Sequence, residues 1–202
     1  MTICLVGSEM CIRDRDKYGR SKAIGFVKER FKKNIKNEHP IVMGENGTSQ
    51  HLAGNDVYYK GAHILHMLRY LIGDKIFKPT LKEFVQMPKE LGENQTSTKE
   101  FISLVSENAN SNLQWFFDVY IYQNKLPVLN IKETKGSKHS FADFWWENRN
   151  FKMPVEITYN GIDGKIRRKI KLNNDPMRIA FLTNSKYKLD PDSWLLFTTT
   201  KT

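Results

Sequence analysis

The residues best placed to do chemistry form a short tyrosine-rich run at the start of an apolar segment. Residues 54–61 (GNDVYYKG) bring two phenols and an ammonium to the point where a polar loop leads into a predicted helix. A phenol at a helix entrance can point into a cleft and donate a hydrogen bond to a developing oxyanion. Taken alone, the residues favour the ordinary alternative, because tyrosines at such junctions mostly form the edge of a core with a satisfied hydroxyl.

Two histidines lie just beyond this run. His63 and His66 are three residues apart, so they share one face of the predicted helix and could bind a metal ion. A third ligand is not evident, because the sequence has no cysteine after Cys11 and no carboxylate within one further turn. We therefore expect the two imidazoles to pack or hydrogen-bond on a partly buried helix, and we predict no metal site formed by this chain.

Composition excludes several classes of protein. The 202 residues carry 32 Lys+Arg against 22 Asp+Glu, a net charge of +10, and 40% of them are hydrophobic. Such a chain can order itself, and no apolar run approaches the ~18 residues of a membrane span. The densest basic pieces, Lys28–Lys33 and Lys165–Lys171, alternate with apolar residues and lack any nucleic-acid-binding motif. We interpret them as solvated faces and predict no nucleic-acid partner.

The elements that must position these residues are helical in the first part of the chain. Helical spacing predicts helices over Ser21–Asn37, over Val57–Ile72 and onward to Met87, where Pro79 should kink or restart the helix. Ser97 and Glu100 have the spacing of a capping box. Asn110 or Ser111 is expected to cap a last helix that runs to about Tyr122.

After Pro127 the hydrophobic period changes from about 3.6 to 2, which is typical of strands. Predicted strands begin at Val128, span Phe141–Glu147, form a hairpin over residues 155–172, and occupy Ile179–Thr183 and Trp194–Thr199. The pattern predicts an α+β chain, with a helical part over residues 16–127 and a small β-sandwich over 128–202.

The first fifteen residues stand apart from both domains. Ser8–Arg15 resembles a translated sequencing adapter, so we interpret residues 1–15 as a non-native segment and leave them out of the fold prediction. The alternative is a genuine, poorly structured N-terminus. Both cysteines, Cys4 and Cys11, fall in this segment, so neither a disulfide framework nor a thiolate zinc site is predicted elsewhere.

Three stretches in order carry a family resemblance. Residues 58–62 (YYKGA), followed by an apolar helix and Gly73-Asp74, resemble the Tyr-x-Lys-Gly segment of the gluzincin zinc aminopeptidases, the family of membrane alanyl aminopeptidase and leukotriene hydrolase. Residues 111–129 (SNLQWFFDVYIYQNKLPVL) are similar to the end of that family's catalytic domain. Residues 189–196 (LDPDSWLL) are similar to the last strand of the β-rich domain that follows it.

This resemblance implies a fold and an activity. The fold would be the helical lobe of a thermolysin-like metallopeptidase catalytic domain followed by a β-sandwich. The parent protein would be a zinc-dependent metallo-aminopeptidase that hydrolyses N-terminal residues from peptides. In the family, the tyrosine before x-Lys-Gly stabilises the tetrahedral intermediate, so this role falls on Tyr58 and not on Tyr59.

The same resemblance implies that part of the machinery is missing here. In the family the zinc ligands, the general-base glutamate and the amine-binding Gly-x-Met-x-Asn segment all precede this tyrosine, and none of these motifs occurs in the sequence. We therefore expect a truncated chain that binds no zinc and is inactive alone. The rival hypothesis is a non-catalytic module of helices and a β-sandwich that binds partners through its basic surface.

Overall fold

The computed structural model describes residue 17 and residues 19–42, 56–87, 97–161 and 164–201. The segment interpreted as non-native, with both cysteines, lies outside these residues. The chain forms two units, Met1–Lys125 and Leu126–Thr202. The described part of the first unit is helical and that of the second is built from strands, so the predicted α+β class is confirmed.

The first helical stretch changes its hydrogen-bonding pattern along its length. An α-helix, α1 (Arg20–Phe26), continues as a π-helical turn over Val27–Phe31 and a 3₁₀ turn over Lys32–Asn34. It therefore ends three residues before the predicted end at Asn37. Asn37 itself takes a left-handed conformation with φ 58°, which asparagine tolerates better than most residues and which turns the chain out of the helix.

Helices α2 (Asp56–Ile72) and α3 (Asp74–Gln86) meet at a corner made by Gly73. Gly73 has φ 81°, a conformation that suits glycine, and its amide donates to the Arg69 carbonyl oxygen at 2.8 Å. The Arg69 guanidinium, only 4% exposed, spans the corner and donates to both carboxylate oxygens of Asp74 at 2.5 and 2.9 Å. This ion pair holds the two helices at their junction.

The proline in α3 does not restart the helix. Pro79 lies inside the continuous span Asp74–Gln86, so of the two predicted effects, a kink or a restart, the restart does not occur. Proline removes one backbone donor, and the loss is local. Directly after it, the Thr80 hydroxyl donates to the Ile76 carbonyl oxygen at 2.8 Å, and the amide of Asn108 donates to the same hydroxyl at 3.1 Å.

Two shorter helices complete the described part of the first unit. Helix α4 (Thr98–Asn108) begins with the predicted capping box, in which the Glu100 amide donates to the Ser97 hydroxyl at 3.1 Å and the Ser97 amide donates to the Glu100 carboxylate. Helix α5 (Gln114–Tyr120) is instead preceded by Leu113 at the N-cap position without a side-chain cap, so the predicted cap at Asn110 or Ser111 is wrong.

The core of the helical unit is dominated by aromatic rings. Phe101 of α4 lies between Phe84 of α3 and Phe117 of α5, with ring centroids 4.9 and 6.0 Å apart in edge-on geometry. Edge-to-face pairs at these distances are favourable beyond the area that they bury. Helix α2 contributes a run of eleven consecutive buried residues, Lys60–Tyr70.

The second unit contains two sheets. Its strands are β1 (Val128–Thr134), β2 (His139–Trp146), β3 (Val155–Gly161), β4 (Gly164–Ile170), β5 (Met177–Leu182), β6 (Lys188–Leu189) and β7 (Thr198–Lys201). One sheet has the order β5-β2-β1-β7 and the other β4-β3-β6. All pairs are antiparallel except β1 with β7, where Val128–Ile131 runs parallel to Thr198–Lys201.

The last predicted strand, Trp194–Thr199, is wrong over its first four residues. Trp194, Leu195 and Leu196 are buried, but a strand forms only from Thr198. The backbone amides of Trp194 and Leu195 donate to the carboxylate of Asp190, at 2.8 and 2.9 Å, instead of joining a ladder. The apolar residues of this segment correctly predict that it is buried. Its first backbone amides, however, donate to the Asp190 side chain and not to a neighbouring strand.

Candidate functional site

The candidate site is the first turn and a half of α2, where three consecutive residues have three different environments. The side chain of Tyr58 is 57% exposed, Tyr59 is half-buried, and Lys60 is 1% exposed. Successive helical residues point about 100° apart, so a single helix can present one side chain to solvent and bury the second residue after it. The sequence brings the two phenols together, and the helix separates them.

Tyr59 lies against the core of the helical unit. Its ring packs against Val27 and Ala62, which form a small buried cluster together with Phe26 at its edge. Tyr59 thus has the core-edge role that the residues alone favour for a tyrosine at such a junction. Tyr58 does not have this role, because more than half of its side chain is open to solvent.

Asp56 fixes the start of α2. One oxygen of its carboxylate accepts a hydrogen bond from the Lys36 amide at 2.8 Å and the other accepts one from the Glu38 amide at 3.2 Å. A carboxylate in the first turn of a helix is also favoured by the helix dipole. These contacts tie the helix that carries Tyr58 to the segment that follows the first helical stretch, 18 to 20 residues earlier in the chain.

Lys60 is the residue whose environment the sequence predicts least well. Its ammonium is buried inside the helical unit and donates to the Gln123 carbonyl oxygen at 3.0 Å, just beyond the end of α5. Burial lowers the pKa of Lys60 to about 8, and the nearby Asp56 carboxylate offsets part of this effect. The sequence marks it as a lysine at the start of a mostly apolar helical run and as part of the Tyr-x-Lys-Gly segment.

The two histidines are both buried in α2. His63 is 0% and His66 8% exposed, and their ring centroids are 5.8 Å apart. Within the residues that the structure describes, no group of three or more His, Cys, Asp or Glu side chains could hold a metal ion. His63 and His66 thus form a pair inside the helix packing and have no third ligand among the described side chains.

The basic strand β4 is partly neutralised by acidic neighbours. Arg167 donates from Nε to Glu156 at 2.9 Å and from its terminal nitrogen to Asp192 at 2.5 Å. Its hydrogen bond with Asp192, opposed by partial burial and supported by Glu156, raises the pKa of the guanidinium further above its usual range. Arg167 is therefore part of an ion-pair network on the β unit.

None of the helices in the described ranges is long and apolar enough to cross a membrane bilayer.

Comparison with solved structures defines the class of fold. The crystal structure of Legionella pneumophila aminopeptidase A in complex with aspartic acid matches with a TM-score of 0.65 and 16% identity, over 88% of this chain and 22% of that one. The described residues thus have the fold of part of an aminopeptidase. Among curated proteins, aminopeptidase N of Lactococcus lactis subsp. lactis is 25% identical over an alignment of 112 residues that covers 52% of this chain and 13% of that protein.

The sequence profile of the peptidase family M1 domain matches residues 16–120, which is more than half of the chain. The chain belongs to peptidase family M1, and the predicted resemblance to the gluzincin aminopeptidases is confirmed at this level. It spans about a fifth or less of the length of the relatives named above. The matched region contains the whole of α2, and with it Tyr58 and Lys60.

Proposed function

We propose that this chain is part of a zinc-dependent metallo-aminopeptidase that hydrolyses N-terminal residues from peptides, with Tyr58 stabilising the tetrahedral intermediate. One observation carries the assignment of Tyr58. Its side chain is 57% exposed at the start of a helix in which each of the residues Lys60–Tyr70 is buried. The phenol can therefore reach a substrate bound outside the helical unit, which a core-edge tyrosine could not do.

The chemical task of Tyr58 is electrostatic. Attack of water on a peptide carbonyl places negative charge on the carbonyl oxygen, and a preorganised donor at that oxygen lowers the barrier. A phenolic O–H is such a donor. Tyr58 would hold this proton in a hydrogen bond to the oxyanion and would contribute little to binding of the uncharged carbonyl.

The described residues do not fit a zinc site. His63 and His66 are the closest candidates, yet they lie inside the packing of α2 and no third ligand stands with them among the described side chains. We propose that the zinc ligands and the general base belong to a part of the protein that precedes Tyr58. No step of the reaction is assigned to either histidine.

The test is Tyr58→Phe in the full-length protein that contains this chain. Loss of one oxyanion donor lowers kcat by on the order of 10²–10³, while KM changes much less because the donor acts only when charge develops. Phenylalanine keeps the ring, so zinc content and folding should be unchanged. Steady-state kinetics on an aminoacyl-nitroanilide, with zinc measured in each variant, provide the readout.

Tyr59→Phe is the matched control. Its ring packs against the buried Val27–Ala62 cluster, about 100° around the helix from Tyr58, so kcat should stay within a few-fold of wild type. If Tyr59→Phe abolishes activity and Tyr58→Phe does not, the role belongs to the neighbouring phenol. If both variants keep full activity, neither phenol stabilises the intermediate and the proposal for Tyr58 is wrong.

The rival hypothesis, a non-catalytic module that binds through its basic surface, is not favoured by the family match. A separate prediction concerns the 202-residue chain by itself. The 202-residue chain alone should release no amino acid from peptides and hold no stoichiometric zinc after dialysis, because the described side chains offer two histidines at most in one place. One tightly bound zinc ion per chain would contradict this assignment of His63 and His66.

A further inference from the structure

We infer that Lys60 is a positioning residue for Tyr58, which it holds in place from inside the helical unit. This inference rests on the proposed role of Tyr58. Lys60 is 1% exposed, and its ammonium donates to the Gln123 carbonyl oxygen at 3.0 Å. That carbonyl lies 63 residues further along the chain, after the end of α5. The contact therefore links the first turns of α2 to a distant segment.

Helix stability does not explain a lysine at this position. Removing an ammonium from water costs free energy, and replacing a buried charge by a well-packed apolar side chain is often neutral or stabilising. Apart from Asp56, the neighbours of Lys60 on α2 are apolar or aromatic, so a methionine or leucine would suit the packing. What a lysine adds is a directed hydrogen bond to one backbone oxygen at the end of a long stem.

A second set of hydrogen bonds joins the same segments. The side-chain amide of Asn37 donates to the Asn124 carbonyl oxygen, and that of Asn124 donates back to the Glu38 carbonyl oxygen at 3.0 Å. The Asp56 carboxylate accepts from the backbone amides of Lys36 and Glu38. Residues 36–38, the start of α2 and residues 123–124 therefore form a closed ring of contacts, defined here as the α2 anchor.

The α2 anchor lies on the side of the helix away from Tyr58. Residues two apart on a helix point about 200° apart, so Lys60 faces inward where Tyr58 faces solvent. Lys60 can act on Tyr58 only through the backbone of the first turn, which has few intrahelical bonds of its own. A shift of about 1 Å in a catalytic group can cost on the order of a hundredfold in rate.

The experiment is a double-mutant cycle in the zinc-loaded full-length protein, with Lys60→Met, Tyr58→Phe and the double variant. We expect Lys60→Met to lower kcat by about ten- to a hundredfold with KM within about threefold. In the Tyr58→Phe background the same substitution should change kcat by less than about twofold, because the group that it positions is already gone. Lys75→Met removes an exposed lysine from α3 and is the control for loss of one positive charge.

A merely structural role would give a different pattern. If Lys60→Met only reduced the fraction of folded protein, it would lower kcat by the same factor with and without the Tyr58 hydroxyl. Equal factors in the two backgrounds therefore overturn the inference. If Tyr58→Phe alone keeps full activity, the proposed function of Tyr58 fails, and this outcome is distinct from failure of the positioning role.

A second variant keeps the inference testable if Lys60→Met does not fold. Asn124→Ala removes the contact with the Glu38 carbonyl oxygen from an exposed position and leaves Lys60 in place. It loosens the α2 anchor from the other side, so its effect on kcat should also disappear in the Tyr58→Phe background. An effect of Asn124→Ala that persists there, or no effect on kcat in wild type, would contradict coupling between the α2 anchor and Tyr58.

Discussion

Asp190 is expected to be the side chain on which the end of the β unit depends most. It is 6% exposed, and its two carboxylate oxygens accept hydrogen bonds from the amides of Trp194 and Leu195 at 2.8 and 2.9 Å. Its own amide donates to the Glu156 carbonyl oxygen of β3 at 2.7 Å. The carboxylate therefore fastens a buried apolar segment to the turn that precedes it.

The cost of Asp190→Ala follows from these contacts. Hydrogen bonds to a charged group are worth about 1.5–3 kcal/mol each, and the lower value applies here because the substitution also removes a buried charge. Two such bonds give about 3 kcal/mol. Asp190 also has φ 43°, which aspartate and asparagine tolerate better than alanine, and this adds up to about 1 kcal/mol. We expect the free energy of unfolding of the β unit to fall by about 3–4 kcal/mol.

Native-state hydrogen exchange on the full chain measures this change. The amides of the central strand β3 should exchange several hundredfold faster in Asp190→Ala, since each 1.4 kcal/mol is about tenfold in the opening equilibrium. Asp190→Asn is the matched control, because it keeps one acceptor and tolerates the positive φ, so about half of the loss is expected. If Asp190→Ala changes exchange in β3 by less than about threefold, water replaces the carboxylate at little cost and the reasoning is wrong.

Three further predictions concern the helical unit. Gly61→Ala should raise the stability of this unit by about 1 kcal/mol, because alanine is the better helix former. Among the described residues, the new Cβ would meet only the Ile41 side chain, at 4.0 Å. A lower denaturation midpoint would contradict this prediction. The free energy of unfolding should rise from about pH 8 to about pH 10, by at most about 3 kcal/mol. The reason is that the pKa of Lys60 is lowered to about 8 in the folded state, so the unfolded chain binds that proton up to a higher pH than the folded chain does. Burial also lowers the pKa of Lys169, so the pH dependence of the Lys60→Met variant is measured and subtracted to leave the contribution of Lys60 alone. If the difference in stability between the two proteins does not vary with pH, the prediction is wrong. Ser97→Ala should speed hydrogen exchange of the first α4 amides by about fivefold, because loss of the N-cap costs about 1 kcal/mol. An unchanged exchange rate would show that the cap contributes nothing to stability.

Local patterns predict the helices well because their causes are local. The capping box of α4 joins residues three apart, and the apolar run of α2 contains its own period, so both can be inferred from a short window of sequence. The same holds for the β3–β4 hairpin, whose strands are close in sequence. The α+β class follows from the change of period near Pro127.

The parts that sequence reasoning misses depend on distant partners. The Trp194–Leu196 segment is apolar enough to be a strand, yet the hydrogen bonds of its first two amides go to a carboxylate. Lys60 has its partner 63 residues away, at a backbone oxygen that no side-chain pattern marks. Periodicity predicts which residues are buried, but it does not show which distant group accepts the hydrogen bonds of their polar atoms.

The parallel pairing of β1 with β7 has a mechanical consequence. The first strand of the β unit lies beside its last strand, with Val128 opposite Thr198 and Ile131 opposite Lys201. Because the strands run in the same direction, tension applied before β1 and after β7 pulls them past each other along their length. The hydrogen bonds of a parallel ladder are evenly spaced, so they share such a load instead of opening one after another. The β unit is therefore built to resist stretching between its ends by shear.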